Sequence, residues 1–198
     1  MAASLDPFCF LGIPTRMTTL DDTSVLIPDV FEVHARTQPL KEAVVCGAVR
    51  RTWGDFAANI NRVANALNAR GIGPGHQVAV LMGNSVEILE IMFGVVRAGA
   101  CVVPLSGLLT GEQLATLIDD SDAVAMFATA DFIDRLGPHR AQCPKIRADG
   151  LVSVFCEAPG WQGYDAFLQG AATTPPPASC NAALPFNIIY SSGTTGLP

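Results

Sequence analysis

The stretch QVAVLMGNSVEILEIMFGVVRAGACVVPL, residues 77–105, decides the fold. Residues 77–82 are a short apolar run without polar alternation, which predicts a strand buried on both faces. Residues 85–98 are longer and apolar nearly all round, with Glu87, Glu90 and Arg97 on one narrow stripe. That pattern predicts a helix packed on most of its sides. Residues 101–105 then repeat the first signal and predict a second buried strand. A strand, a helix and a strand of this kind make a parallel unit, because a parallel pair needs a crossover of about a dozen residues.

The alternation continues downstream. Residues 110–119 predict a helix opened by the capping box Thr110-Gly-Glu-Gln113, and residues 123–128 a third apolar strand. A short helix over 131–136, a strand over 151–156, a helix over 164–171 and a fifth strand over 187–190 follow. Between the last two lies Pro175-Pro176-Pro177, a stiff linker.

Upstream, Pro28 suits a first helical turn that places Phe31, His34 and Ala35 on one face, and Pro39 ends it. Residues 43–46 and 49–52, turning at Gly47-Ala48, predict a small hairpin. Thr52 caps the next helix with Asp55 three residues on, and Phe56, Ile60, Val63 and Leu67 form its apolar stripe. Gly71 closes that helix as a left-handed cap, with Ile72 folding back on the last turn. Residues 1–25 carry no period and read as an irregular lead. The predicted class is α/β: a parallel sheet covered by helices on both faces, with a small N-terminal hairpin.

The composition of the 198 residues narrows the function classes. Hydrophobic residues make up 49%, mean hydropathy is +0.35, and charged residues reach 15%, against roughly 25% in an average soluble domain. Yet no run of about 20 residues escapes charge, as a spanning helix requires. Nor does a basic N-terminal region precede a clean apolar run, so the expected location is cytoplasmic. A net charge of −6 opposes a nucleic-acid partner. Six cysteines without C-x-x-C spacing read as buried thiols rather than disulfides or zinc ligands. His34, His76 and His139 form no ligand spacing and read as ordinary surface or loop residues.

Two glycine clusters compete as phosphate sites. Gly71-Ile72-Gly73-Pro74-Gly75 follows a helix and precedes a strand, the reverse of a dinucleotide fingerprint, and a helix cap with a tight turn explains it. The second is Ser191, Ser192, Gly193, Thr194, Thr195 and Gly196, directly after the predicted strand 187–190. Four hydroxyls around two glycines let the backbone curl and turn N–H and O–H donors inward, which suits the many acceptor oxygens of a polyphosphate. It lacks the lysine spacing of a P-loop, so a kinase of that kind fits poorly. On chemistry alone a hydroxyl-rich chain end remains an equal reading.

The segment Tyr190-Ser191-Ser192-Gly193-Thr194-Thr195-Gly196-Leu197-Pro198 resembles the signature Y-[ST]-S-G-[ST]-T-G-x-P-K-G of the adenylate-forming superfamily. That superfamily comprises acyl- and aryl-CoA synthetases, luciferases and peptide-synthetase adenylation domains. Arg51-Thr52-Trp53-Gly54-Asp55-Phe56, the Gly71–Ala79 stretch, Asn84-Ser85 and Arg97-Ala98-Gly99-Ala100-Cys101-Val102-Val103-Pro104-Leu105 resemble further blocks of the family, so the likeness covers about residues 25–198. Ser106-Gly107 departs where many members carry Asn-Pro, and His76 where most carry Asp.

The resemblance implies the first subdomain of the large adenylation domain, residues 26–198, cut inside its phosphate loop, with the lid domain absent. It further implies a parent enzyme that uses ATP, Mg2+ and coenzyme A to activate a carboxylic acid, first of all a fatty acid as in long-chain ligases. The runners-up are an aryl or phenylpropanoid acid–CoA ligase and a non-catalytic α/β module. By the same resemblance the six residues Ser191 to Gly196 hold phosphate. No catalytic or metal-ligating residue falls in this chain, and the chain alone is expected to be inactive. Its apolar composition and the orphaned face also lead us to expect a homodimer caused by truncation.

Overall fold

The computed structural model describes residues 25–177 and 180–191. The lead 1–24 and most of the second glycine cluster therefore lie outside the described residues.

Helix α1 (Ile27–Thr37) and the antiparallel pair β1 (Glu42–Cys46) and β2 (Val49–Thr52) precede α2 (Trp53–Ala69). Then come β3 (Gln77–Leu81), α3 (Val86–Arg97), β4 (Cys101–Pro104), α4 (Gly111–Asp120), β5 (Ala123–Ala128) and α5 (Ala130–Leu136). Two short 3-10 turns lead to β6 (Leu151–Ser153), β7 (Gln162–Gly163) and the single turn α6 (Tyr164–Phe167). The five strands pair in parallel in the order β4-β3-β5-β6-β7.

The sheet is buried on both faces, which is why its strands read as continuous apolar runs. Val78, Val80, Val102, Phe127 and Val152 point to one core, shared with Val63 and Leu67 of α2 and Ile91 and Val95 of α3. Ala79, Leu81, Val103, Met126 and Ala128 point to the other, shared with Leu114 and Ile118 of α4 and Phe132 and Leu136 of α5. Gly94 lets α2 and α3 meet closely: a Cβ there would stand 2.5 Å from the Val63 side chain.

The local chemistry follows the sequence. Thr110 and Gln113 make both halves of their capping box. Thr52 Oγ1 accepts from the Asp55 N–H, while its own hydroxyl donates to the Asp55 carboxylate. Gly71 takes φ +67, and the Ile72 N–H reaches back to Leu67 O at 3.0 Å.

Four expectations need correction. Residues 187–190 form one parallel bridge, Asn187 to Val102, instead of a strand, and the fifth strand of the sheet is β7. The strand expected over 151–156 stops at Ser153, because Phe155 turns to φ +62 and into solvent. The helix expected over 164–171 is the one turn of α6.

Glu90, the fourth, is 2% exposed and not on a solvated stripe. It accepts from Arg51 Nε of β2 at 3.1 Å and from Asn59 Nδ2 of α2 at 2.9 Å. Burial pushes its carboxyl up, with those two partners pulling the other way. His34 is likewise more than a surface residue: it sits on α1 and its ring stacks on Trp53 at 4.5 Å. No helix among the described residues is long and apolar enough to cross a membrane.

Candidate phosphate-binding segment

The chain reaches the candidate loop along a guided path. Beyond α6 it runs over α2, where Asn61 Nδ2 donates to Thr173 O at 3.0 Å and Asn65 Nδ2 to Ala172 O and Thr174 O, each at 2.9 Å. These amides grip carbonyls just ahead of the proline run, whose own nitrogens cannot donate.

The path next meets the free edge of β4. Val102 N–H donates to Phe186 O at 3.2 Å, and Ile188 N–H donates to Val102 O at 3.0 Å. Ile188 and Tyr190 then pack on the core beneath α4 and α5. Their spacing of two residues is that of an extended chain presenting alternate side chains to one face. The Tyr190 hydroxyl donates to Asp120 Oδ2 at 2.6 Å, in the last turn of α4, and lies 3.4 Å from Leu117 O. Burial first, and the Asp120 acceptor second, push this phenol up.

Ser191 follows at once and is exposed. It is the one expected site residue that the structure places, since Ser192, Gly193, Thr194, Thr195 and Gly196 lie outside the described residues. The segment sits at the outer edge of β4. Successive connections of the sheet reverse direction between β3 and β5, which is where open α/β sheets open a crevice for ligands. β4 and β3 separate the candidate segment from that crevice.

The other glycine cluster takes the conformations its sequence asks for. Gly71 and Gly75 have φ +67 and +84, and a Cβ at either would meet open space. Gly73 N–H is held by His76 Nδ1 at 3.3 Å. Every contact there serves the passage from α2 to β3.

Among the described residues two hollows lie beside the path to Ser191. One of about 350 Å³ lies by Ala115, Thr116, Asp119, Asp120 and Gln142 at the end of α4. Another of about 320 Å³ includes Val25, Pro28, Val96, Cys180 and Phe186. Among the described residues no three or more His, Cys, Asp or Glu side chains gather as metal ligands would. Cys101 and Cys143 are buried free thiols, and burial pushes both up.

Comparison with known proteins decides the family. The profile described as AMP-binding enzyme matches residues 31–198. The chain belongs to the AMP-binding enzyme family.

Three curated AMP-binding relatives show the range of similarity. The fatty acid–[acyl-carrier-protein] ligase ScoC of Streptomyces coeruleorubidus is 30% identical over 165 residues, 83% of this chain and 30% of that protein. The long-chain-fatty-acid–CoA ligase FadD13 of Mycobacterium tuberculosis is 33% identical over 153 residues, 76% of this chain and 29% of its own. The 3-hydroxybenzoate–CoA ligase of Aromatoleum sp. is 33% identical over 162 residues, 79% and 29%.

Among solved structures, the N-terminal domain of FACL13 from Mycobacterium tuberculosis superposes with a TM-score of 0.72 at 27% identity. It covers 85% of this chain and 42% of that one. The chain thus spans about three-tenths of the length of these curated relatives.

Proposed function

We propose that this AMP-binding chain is the N-terminal part of an enzyme that activates a carboxylic acid with ATP and passes the acyl group to coenzyme A. In the first step a carboxylate oxygen attacks the α-phosphorus. The bond from that phosphorus to the bridging oxygen breaks, and pyrophosphate leaves with the electron pair. In the second step a thiol attacks the acyl carbonyl and AMP leaves. The carboxylate needs no general base, being ionised near neutral pH.

The role of this chain is electrostatic. Hydroxyls and backbone N–H groups of Ser191, Ser192, Gly193, Thr194, Thr195 and Gly196 would hold the β- and γ-phosphates, orient pyrophosphate for in-line departure and neutralise its growing charge. The loop contains no carboxylate, so any carboxylate ligand of Mg2+ would come from outside it.

The observation that carries this reading is the nine-residue run Tyr190 to Pro198, in a chain whose family match extends to Pro198. A fatty acid is our first choice of substrate, favoured by the names of ScoC and FadD13. An aromatic acid is the second, favoured by the 3-hydroxybenzoate ligase.

ATP–pyrophosphate exchange over a panel of fatty and aromatic acids tests the proposal. A complete enzyme of family length carrying this chain should exchange, fastest with a fatty acid, whereas the 198 residues alone should not. Exchange by the complete enzyme with no acid of the panel would overturn the activity. Exchange by the short chain above a no-enzyme blank would overturn the requirement for further residues.

A further inference from the structure

The segment leading to Ser191 is fixed by two attachments of different kinds. One is the edge bridge, in which Phe186 O and the Ile188 N–H both bond to Val102 of β4. It holds the chain in line with the sheet but stops two residues short of Tyr190. The other is the phenol of Tyr190, which crosses to α4 and donates to Asp120 Oδ2 at 2.6 Å. A hydrogen bond this short to a carboxylate belongs to the strong, charge-assisted kind.

The surroundings favour that partner. Lys145 bonds to the neighbouring Asp119 and Asp122 at 3.2 and 2.7 Å, while Asp120 Oδ2 takes the phenol. Asp120 is itself held in place, because it ends a helix whose inner face, Leu114, Leu117 and Ile118, is buried. Tyr190 and Ile188 lie on that same core, so the tyrosine adds packing to its hydrogen bond. Leu117 O at 3.4 Å and the Ser121 side chain also face the phenol, so the end of α4 is what holds the chain between Ile188 and Ser191 beyond the packing of two side chains.

We propose that Tyr190 is a positioning residue for the phosphate loop. Its phenol, bonded to Asp120 at the end of α4, sets where the chain leaves the edge of β4 and so places Ser191, the first residue of the proposed phosphate loop. The inference rests on the phosphate-loop reading. Holding that residue in advance removes part of the ordering cost that a free loop meets when a polyphosphate binds. The residue touches neither substrate nor reacting atoms, and acts through Ser191.

Two measurements, the first on the 198-residue chain and the second on the complete enzyme, separate this inference from the reading beneath it. The first is hydrogen exchange at the Ile188 amide, with no nucleotide present. In Tyr190→Phe Ile188 should exchange roughly tenfold faster, and in Asp120→Ala, which leaves Leu117 O and Ser121 to the phenol, by a smaller factor, while Val80 and Phe127 of the inner strands stay unchanged. Asp120→Asn keeps an acceptor oxygen and should recover most of the protection. Unchanged Ile188 exchange in Tyr190→Phe would overturn the attachment.

The second is Mg-ATP affinity of the complete enzyme by titration, where Tyr190→Phe should weaken binding roughly tenfold. Faster Ile188 exchange with unaltered affinity would overturn the positioning role. A complete wild-type enzyme that binds no Mg-ATP at millimolar concentration, while the chain shows the exchange effect, would overturn the phosphate-loop reading and leave the attachment standing.

Discussion

The two glycine clusters share only their glycines, and they differ both in the residues between them and in what surrounds them. Gly71 to Gly75 joins the end of α2 to the start of β3, and its positive φ angles, its Ile72 back-bond and its His76 contact all serve that passage. Ser191 to Gly196 follows a segment held by an edge bridge and one phenol, and it carries four hydroxyls. A glycine can be demanded by the backbone of its own protein or by the approach of something else. The first kind should cost stability when changed, and the second activity.

The largest expected effect tests the second kind. In the complete enzyme, Thr194→Ala removes a hydroxyl donor and should lower ATP–pyrophosphate exchange about 10²–10³-fold, and Gly193→Val, whose side chain bars a tight turn, should lower it sharply too. The thermal midpoint of Gly193→Val should stay within a degree or two of wild type. A matching loss of stability would make Gly193 a structural glycine like Gly71 and erase the contrast.

Next comes a glycine of pure packing. Gly94→Ala should destabilise the chain by about 1–3 kcal/mol, because its new methyl meets Val63 at 2.5 Å between two buried helices. Urea unfolding with unchanged m-value measures it, and a neutral result would mean that α2 and α3 separate easily. Gly71→Ala should cost less, roughly 1–2 kcal/mol, since the penalty there is the left-handed backbone alone and the space is open. Neither change should alter Mg-ATP affinity.

The smallest effect concerns Glu90, in the packed region and far in sequence from the loop. Burial raises its carboxyl above the ordinary 4.5, so the folded state holds its proton more tightly than the unfolded one. Stability from this group is therefore greatest below about pH 4.5 and falls as pH rises through the folded value. Unfolding curves of wild type and Glu90→Gln between pH 4 and 8 should diverge, the wild type losing ground as pH rises. A constant difference would show that Arg51 and Asn59 fully offset the burial.

Much of the fold was legible because both faces of the sheet are covered. Strands such as Val78 to Leu81 and Ala123 to Ala128 need apolar residues at every position, and that leaves an unmistakable run. Capping was legible for a different reason: Thr110 and Gln113 satisfy each other within four residues, so no tertiary knowledge is needed. What escaped was set by partners distant in sequence. Glu90 reads as a solvated stripe until Arg51, 39 residues away, is folded over it.

Residues 187–190 have strand composition, but β4 offers them an outer edge, and one bridge is what forms. β7 has no apolar run to announce it and exists because Gln162 and Gly163 lie beside Val152 and Ser153. Of the candidate site, the proposed phosphate chemistry rests on the hydroxyls and glycines of the sequence, and from Ser192 on these lie outside the described residues. The Tyr190–Asp120 attachment was not legible, since it joins residues 70 apart with no pattern linking them.

The most direct test of phosphate binding follows the backbone amides of both clusters by NMR while Mg-ATP is added to the 198-residue chain. The predicted result is a saturable shift of the Ser192, Gly193, Thr194, Thr195 and Gly196 amides, with Gly71, Gly73 and Gly75 unmoved. Shifts at Gly71 to Gly75, or a second cluster that stays still at millimolar Mg-ATP, would contradict it.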